Sequence, residues 1–204
     1  FSDGPDRIVV SCGGARGADL RLPANLAEGL RTTAAHSTLV VGDSNSTAIH
    51  PDGTLGRGVG EMELSRQETD SASRIEASHD GYVRRYGVIH RRHIALGTDG
   101  RDVRGEDSLT PSGRRKKAGA IPFAVRFHLH PSVQVSPTAD GAGALLRTPS
   151  GAAWQFRAGG AALGIEESVW IDDRGIPRET QQLVLTGESP AGGASISWLF
   201  HRAR

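Results

Sequence analysis

Apolar and polar side chains alternate along residues 121–130: Phe123, Val125, Phe127 and Leu129 on one face, Arg126, His128 and His130 on the other. A period of two is the mark of a β-strand with one face in a core. The same short alternating runs recur at residues 8–10, 36–41, 61–68, 74–79 and 88–96. They resume at 144–147, 153–157, 166–171, 180–185 and 195–201. Turn chemistry separates them, as in Gly97-Thr98-Asp99-Gly100, Thr148-Pro149-Ser150-Gly151 and Asp172-Asp173-Arg174-Gly175. The last two predict hairpins. Helical periodicity is confined to residues 23–30, where Pro23 suits a first helical position and Gly29 weakens the end. Roughly a dozen strands with at most one short helix predict an all-β fold, a large two-sheet antiparallel β-sandwich filling a single domain over residues 1–204.

Composition narrows the function. The chain has 204 residues, 24 Lys and Arg against 23 Asp and Glu, and a net charge of +1. Interspersed charge of this kind gives no reason to expect nucleic acid. The basic run Arg114-Arg115-Lys116-Lys117 sits among Pro, Ser and Gly and reads as a solvated loop. The single cysteine, Cys12, excludes an internal disulfide and a Cys-based zinc cluster. No apolar run approaches the roughly 20 residues that span a bilayer as a helix. The chain opens on Phe1, its one methionine is Met62, and there is no basic-then-apolar leader. Together these point to a piece of a longer polypeptide.

Eight histidines in a chain poor in aromatics direct attention to imidazole chemistry. His128 and His130 place two rings on one strand face with Arg126. That arrangement suits a shared metal or anion, or else a hydrogen-bonded seam between packed layers. In His90-Arg91-Arg92-His93 both faces of the strand are polar, which predicts a sheet edge or a cleft lining. His79 precedes Tyr82, Arg84, Arg85 and Tyr86. An aromatic beside those arginines suits a sugar ring, and a packed tyrosine explains it equally well. Arg104-Gly105-Glu106-Asp107 predicts a turn held by its own side chains. Trp154, Trp170 and Trp198 are expected in the core, and His50 and His201 as packing residues.

Ala35-His36-Ser37-Thr38-Leu39-Val40, Ser78-His79-Asp80-Gly81-Tyr82, Tyr86-Gly87, His90-Arg91-Arg92, Gly105-Glu106-Asp107, Arg126-Phe127-His128-Leu129-His130-Pro131 and Arg178-Glu179-Thr180-Gln181-Gln182-Leu183-Val184-Leu185 occur in that order. As an ordered set they resemble the C-terminal domain of heparinase II/III-like proteins over nearly the whole chain. The resemblance implies a β-sandwich that follows an α/α toroid, here upstream and absent. It implies a parent protein in the periplasm or cell envelope that cleaves uronate-containing glycans by β-elimination. It also implies a divalent metal, zinc or calcium, with His36 at a histidine ligand position. The family's aspartate ligand falls on Ser11, and serine is a poor ligand for either ion. In the family the main catalytic groups lie outside this segment, so the isolated domain is expected to be inactive. Its catalytic residues stay unassigned, with His79 and Tyr82 as supporting candidates.

Three readings follow. In the first, a polysaccharide lyase-like protein uses this sandwich to meet an anionic polysaccharide, with Arg91, Arg126, His128 and His130 binding substrate and His36 facing metal. In the second, the domain is a non-catalytic carbohydrate-binding or scaffold module of the cell envelope. In the third, His128 and His130 form a cupin-like metal site.

Overall fold

Antiparallel pairing joins most of the alternating segments in a computed structural model, which describes residues 1–14, 22–113 and 119–203. The basic run at 114–117 lies outside the described residues. Three short strands open the chain, β1 (Ser2–Asp3), β2 (Asp6–Arg7) and β3 (Val9–Val10), and helix α1 (Ala24–Gly29) follows. A 3-10 turn (Thr33–Ala35) leads to β4 (Leu39–Val41). Strands β5 (Met62–Glu68), β6 (Ala72–His79), β7 (Val88–Gly97) and β8 (Asp102–Pro111) form a meander, interrupted by a second, single-turn helix α2 (Val83–Tyr86). The remainder is β9 (Ile121–Leu129), β10 (Gln134–Pro137), β11 (Gly143–Arg147), β12 (Ala153–Gly159), β13 (Ala162–Ile171), β14 (Pro177–Ser189) and β15 (Ala194–Arg202).

These strands build the expected two-layer sandwich. One sheet has eight strands in the order β10-β11-β12-β15-β8-β7-β6-β5. The other runs β13-β14-β9-β3, with β4 also paired to β9. Both predicted hairpins form, β11 with β12 and β13 with β14. Phe123, Val125, Phe127 and Leu129 are all buried, so the face assigned from alternation is the core face. Phe127 crosses the layer to meet Trp198, Phe200 and Phe156, with ring centroids 5.0, 5.4 and 5.5 Å apart. Edge-to-face and tilted contacts of this kind add to the free energy of area burial. A smaller cluster of Leu30, Ala35, Cys12 and Ile171, with Leu22 and Leu26, fastens the α1 segment beside the second sheet.

Three expectations are corrected. Residues 104–107 are not a turn but the middle of β8, with Asp107 paired to Arg92 on one side and Ile196 on the other. A second short helix, α2, stands where at most one was expected. Strand β7 lies between β6 and β8, so of its two readings the cleft lining holds, through Arg92. Trp154 and Trp198 are core residues, whereas Trp170 is only half-buried.

Candidate functional site

The polar face of β9 is built as the alternation requires, and each of its side chains has a protein partner. Opposed residues in an antiparallel ladder point to the same side of a sheet. Arg126, His128 and His130 therefore share a face with Glu166, Ser168 and Trp170 of β13, each reached diagonally across β14, two residues off the direct register. Arg126 Nη1 lies 3.3 Å from Glu166. His128, 3% exposed, has Nε2 2.8 Å from the Ala34 carbonyl and Nδ1 2.8 Å from the Ser168 hydroxyl. Because a carbonyl only accepts, Nε2 carries the proton and Nδ1 accepts from Ser168. The Cys12 sulfur lies 3.4 Å from the same Nδ1. Burial pushes the His128 imidazole below its usual pKa and the Cys12 thiol above its own. His130 stacks edge-on against Trp170 at 4.6 Å, and its Nδ1 meets the Ser132 hydroxyl.

A second polar assembly crosses the eight-stranded sheet on its inner face, and Asp107 is its hub. The Asp107 side chain is fully buried, with both oxygens engaged. Arg92 grips it bidentately through Nε at 2.8 Å and Nη2 at 2.9 Å, while the Trp198 indole N–H donates at 2.9 Å. His90 Nε2 lies 2.7 Å away, and His90 Nδ1 lies 3.1 Å from His79 Nε2. His79 Nδ1 accepts from the Gly81 backbone N–H. That acceptor role fixes the rest of the chain. The His79 proton must sit on Nε2 and point to His90 Nδ1, so the His90 proton sits on Nε2 and points to Asp107. Both rings are neutral in this arrangement. Burial, reinforced by the neighbouring His90, lowers the His79 pKa to about 4. Burial alone would raise the Asp107 carboxyl, but the Arg92 charge and the His90 and Arg92 hydrogen bonds outweigh it and hold the pKa at about 2.

Tyr82 is 1% exposed and donates its hydroxyl to the Leu39 carbonyl, and burial pushes its pKa up to about 12. Arg91 is on the opposite face of β7 from Arg92 and pairs with Glu76 and, at 3.9 Å, Glu63. His36 is exposed, at the end of the 3-10 turn, with Nδ1 3.2 Å from the Ser11 hydroxyl. The two residues matched to metal-ligand positions are thus neighbours, yet the pair offers one imidazole and one neutral hydroxyl. Among the described residues no group of three or more His, Cys, Asp or Glu is placed to hold a metal ion. This donor set does not fit zinc or calcium.

The structure brings together His79 with His90 and Tyr82, and Arg126 with His128 and His130 along one strand. It does not bring these groups into one groove. A cleft of about 400 Å³ between the layers is lined by His36, Ser11, Arg92, Phe127, Trp198 and Phe1, and it takes in only His36 of the seven expected site residues. Sequence reasoning missed Asp107. Its signal was present, since Val103, Asp107 and Leu109 share the apolar face of one strand, which makes an acid there conspicuous.

Comparison with known proteins adds three findings. The sequence model of the family described as "Heparinase II/III-like, C-terminal" matches residues 1–199. The FtsZ-localized protein C of Caulobacter vibrioides (strain NA1000 / CB15N) is 32% identical over 97% of this chain, which spans about a third (35%) of that protein's length. Among solved structures, the heparan sulfate lyase HepC from Pedobacter heparinus superposes over 96% of this chain and 28% of its own, with TM-score 0.73 and 11% identity. A heparinase III structure does so with TM-score 0.69 and 13% identity, again over 28% of its length. At such identities the two lyases share the fold.

Proposed function

The chain belongs to the heparinase II/III-like C-terminal family, and from that premise we propose that it serves as a non-catalytic scaffold module of a larger bacterial envelope protein. One observation carries this reading. His128, His79 and Arg92 are closed into internal hydrogen bonds. Removing a proton α to a carboxylate calls for a base with an available lone pair and a cation to neutralise the acid. His128 spends both nitrogens on Ala34 and Ser168, His79 on Gly81 and His90, and Arg92 on Asp107 and the Ser37 carbonyl. The relative at 32% identity is named for its localisation with FtsZ, and we extend that placement to the protein carrying this chain.

The test uses the full-length parent. Incubated with heparan sulfate and with other uronate polymers, it is expected to yield no ultraviolet-absorbing unsaturated product. A fluorescent fusion is expected to gather at the FtsZ ring. Steady release of unsaturated sugar would overturn the scaffold reading. It would favour the second one, a uronate-glycan lyase whose upstream domain supplies the chemistry. The observation behind that second reading is the exposed His36 ring at the mouth of the interlayer cleft. In that case a His36→Ala parent loses turnover while the isolated domain keeps its fold.

A further inference from the structure

The eight-stranded sheet ends on an open edge, strand β5. All seven of its residues are exposed, and it pairs on one side only, with β6. The backbone N–H and C=O groups on its open side have no partner among the described residues. Such an edge is a template for another strand, and proteins blunt it with Lys, Pro, a bulge or a very short strand. The opposite end of the same sheet follows that rule, since β10 has four residues and closes on Pro137. Strand β5 does not. It contains neither Lys nor Pro, and its register with β6 is unbroken from Met62 to Glu68.

The two faces of this edge differ. Register across β6 and β7 puts Met62, Leu64, Ile75 and Leu96 on the same side as Val103, Trp198 and Phe200, the core side of the sheet. Burial stops short of them. Val103, Trp198 and Phe200 are buried, whereas Met62 and Leu64 are 69% and 66% exposed and Ile75 and Leu96 are exposed too. The apolar inner face thus runs past the cover of the second sheet to the edge. Apolar side chains scattered singly on a surface are ordinary, but a row continuous with the core marks an interaction surface. The outer face carries Glu63, Ser65 and Gln67. Glu63 accepts from the Ser78 hydroxyl and has Arg91 only at 3.9 Å, because Arg91 is committed to Glu76. Glu68 holds Arg66. Glu61 and Asp70 flank the strand, both exposed, with side chains that have no partner among the described residues. Four acids against one arginine over residues 61–70 leave the edge negative.

We propose that β5 accepts a further strand, an extended segment of a partner protein in which apolar and basic residues alternate. Its apolar residues stand beside Met62 and Leu64 and carry the core face one strand further. Its basic residues meet Glu63 on the outer face, with Glu61 and Asp70 at the two ends. Backbone hydrogen bonds supply the affinity of such an addition, and the alternating side-chain positions supply its choice of sequence. The added strand runs antiparallel to β5, the mode of every pair in this sheet. Charge argues against a second copy of β5 as the occupant, because it brings the same excess of acids to the seam. The proposal goes beyond the scaffold reading and is independent of it, since strand addition here requires neither inactivity nor placement at the FtsZ ring.

The purified chain is titrated with a labelled synthetic peptide of about nine residues, alternating valine and lysine, a length within the usual range of strands. Fluorescence anisotropy reads binding, and amide hydrogen exchange locates it. Saturable binding is expected, weaker at high salt, with exchange slowed across Met62–Glu68. A peptide alternating valine and glutamate, and one with the same valines and lysines in two blocks, are expected not to bind. Glu63→Lys is expected to weaken the alternating valine–lysine peptide about fivefold, and Leu64→Thr about two- to fivefold, the size of single cross-strand pairs. Both side chains are exposed, so the unfolding midpoints should stay with the parent chain. No binding of the alternating valine–lysine peptide, equal binding of the blocked one, unchanged affinity in both variants, or protection confined to residues outside β5 would each overturn the proposal. So would self-association of the chain that protects the β5 amides without peptide, which would make a second copy the occupant.

Discussion

Asp107 carries more of this structure than any residue singled out from the sequence. It is a buried carboxylate receiving hydrogen bonds from Arg92, His90 and Trp198 at once. Removing one partner from a buried ion pair leaves the other charge without compensation and costs about 3–5 kcal/mol. Asp107→Ala is therefore expected to lower the unfolding free energy by about that amount in urea titration. A double variant with apolar residues at both 92 and 107 should recover much of the loss. Full additivity of the two single changes would show that the pair is not coupled. At β9, His128→Ala leaves the Ala34 carbonyl and Ser168 hydroxyl unpaired in a buried site. A cost of about 2 kcal/mol is expected, with metal content unchanged. Asp107 escaped notice because Gly105-Glu106-Asp107 has turn composition. The alternation of Val103, Asp107 and Leu109 marks the segment as a strand, but the partners that hold the acid are distant in sequence.

At the level of elements, local signals were read well and long-range ones were not. Alternation and turn residues located β9, both late hairpins and α1, because those features arise from neighbours in the chain. Strand order depends on contacts between distant segments. Nothing in residues 195–201 signalled that β15 would insert between β12 and β8. The polarity of β7 on both faces was visible, but its cause was not: the inner face meets Asp107 and the outer face pairs Arg91 with Glu76. That insertion makes a demand at Gly105, which opposes Trp198 in the β8–β15 ladder. A Cβ at Gly105 would lie 2.1 Å from the indole Cζ2. Gly105→Ala forces the ring off its seat and off its bond to Asp107. A loss of about 1–3 kcal/mol is expected, with a changed tryptophan emission spectrum. Unchanged emission and stability would mean that the two strands separate freely enough to admit a methyl group.

For the whole molecule, the polar seams set the direction in which acidity acts. His79 has a folded pKa near 4 against 6.5 for an unhindered imidazole, because burial and His90 disfavour its charge. His128 is lowered in the same sense. A base whose folded pKa is depressed binds its proton more readily in the unfolded chain. The stability it confers is therefore complete above about pH 6.5 and declines as pH falls toward 4. For His79 the loss amounts to about 2 kcal/mol, after discounting for screening by the solvent that reaches its ring. Asp107 adds a later step, since its depressed carboxyl stabilises the fold above about pH 3.8 and ceases to do so as pH approaches 2. Thermal melts between pH 8 and pH 3 should show a plateau, then a fall beginning near 6.5. Protonated His79 has no acceptor for a second N–H, because Gly81 already donates to Nδ1, so the fall should be shallower in His79→Gln. A wild-type curve flat down to pH 4 would contradict the tautomer assignment, and with it the argument that these imidazoles hold the sheet together rather than serve a substrate.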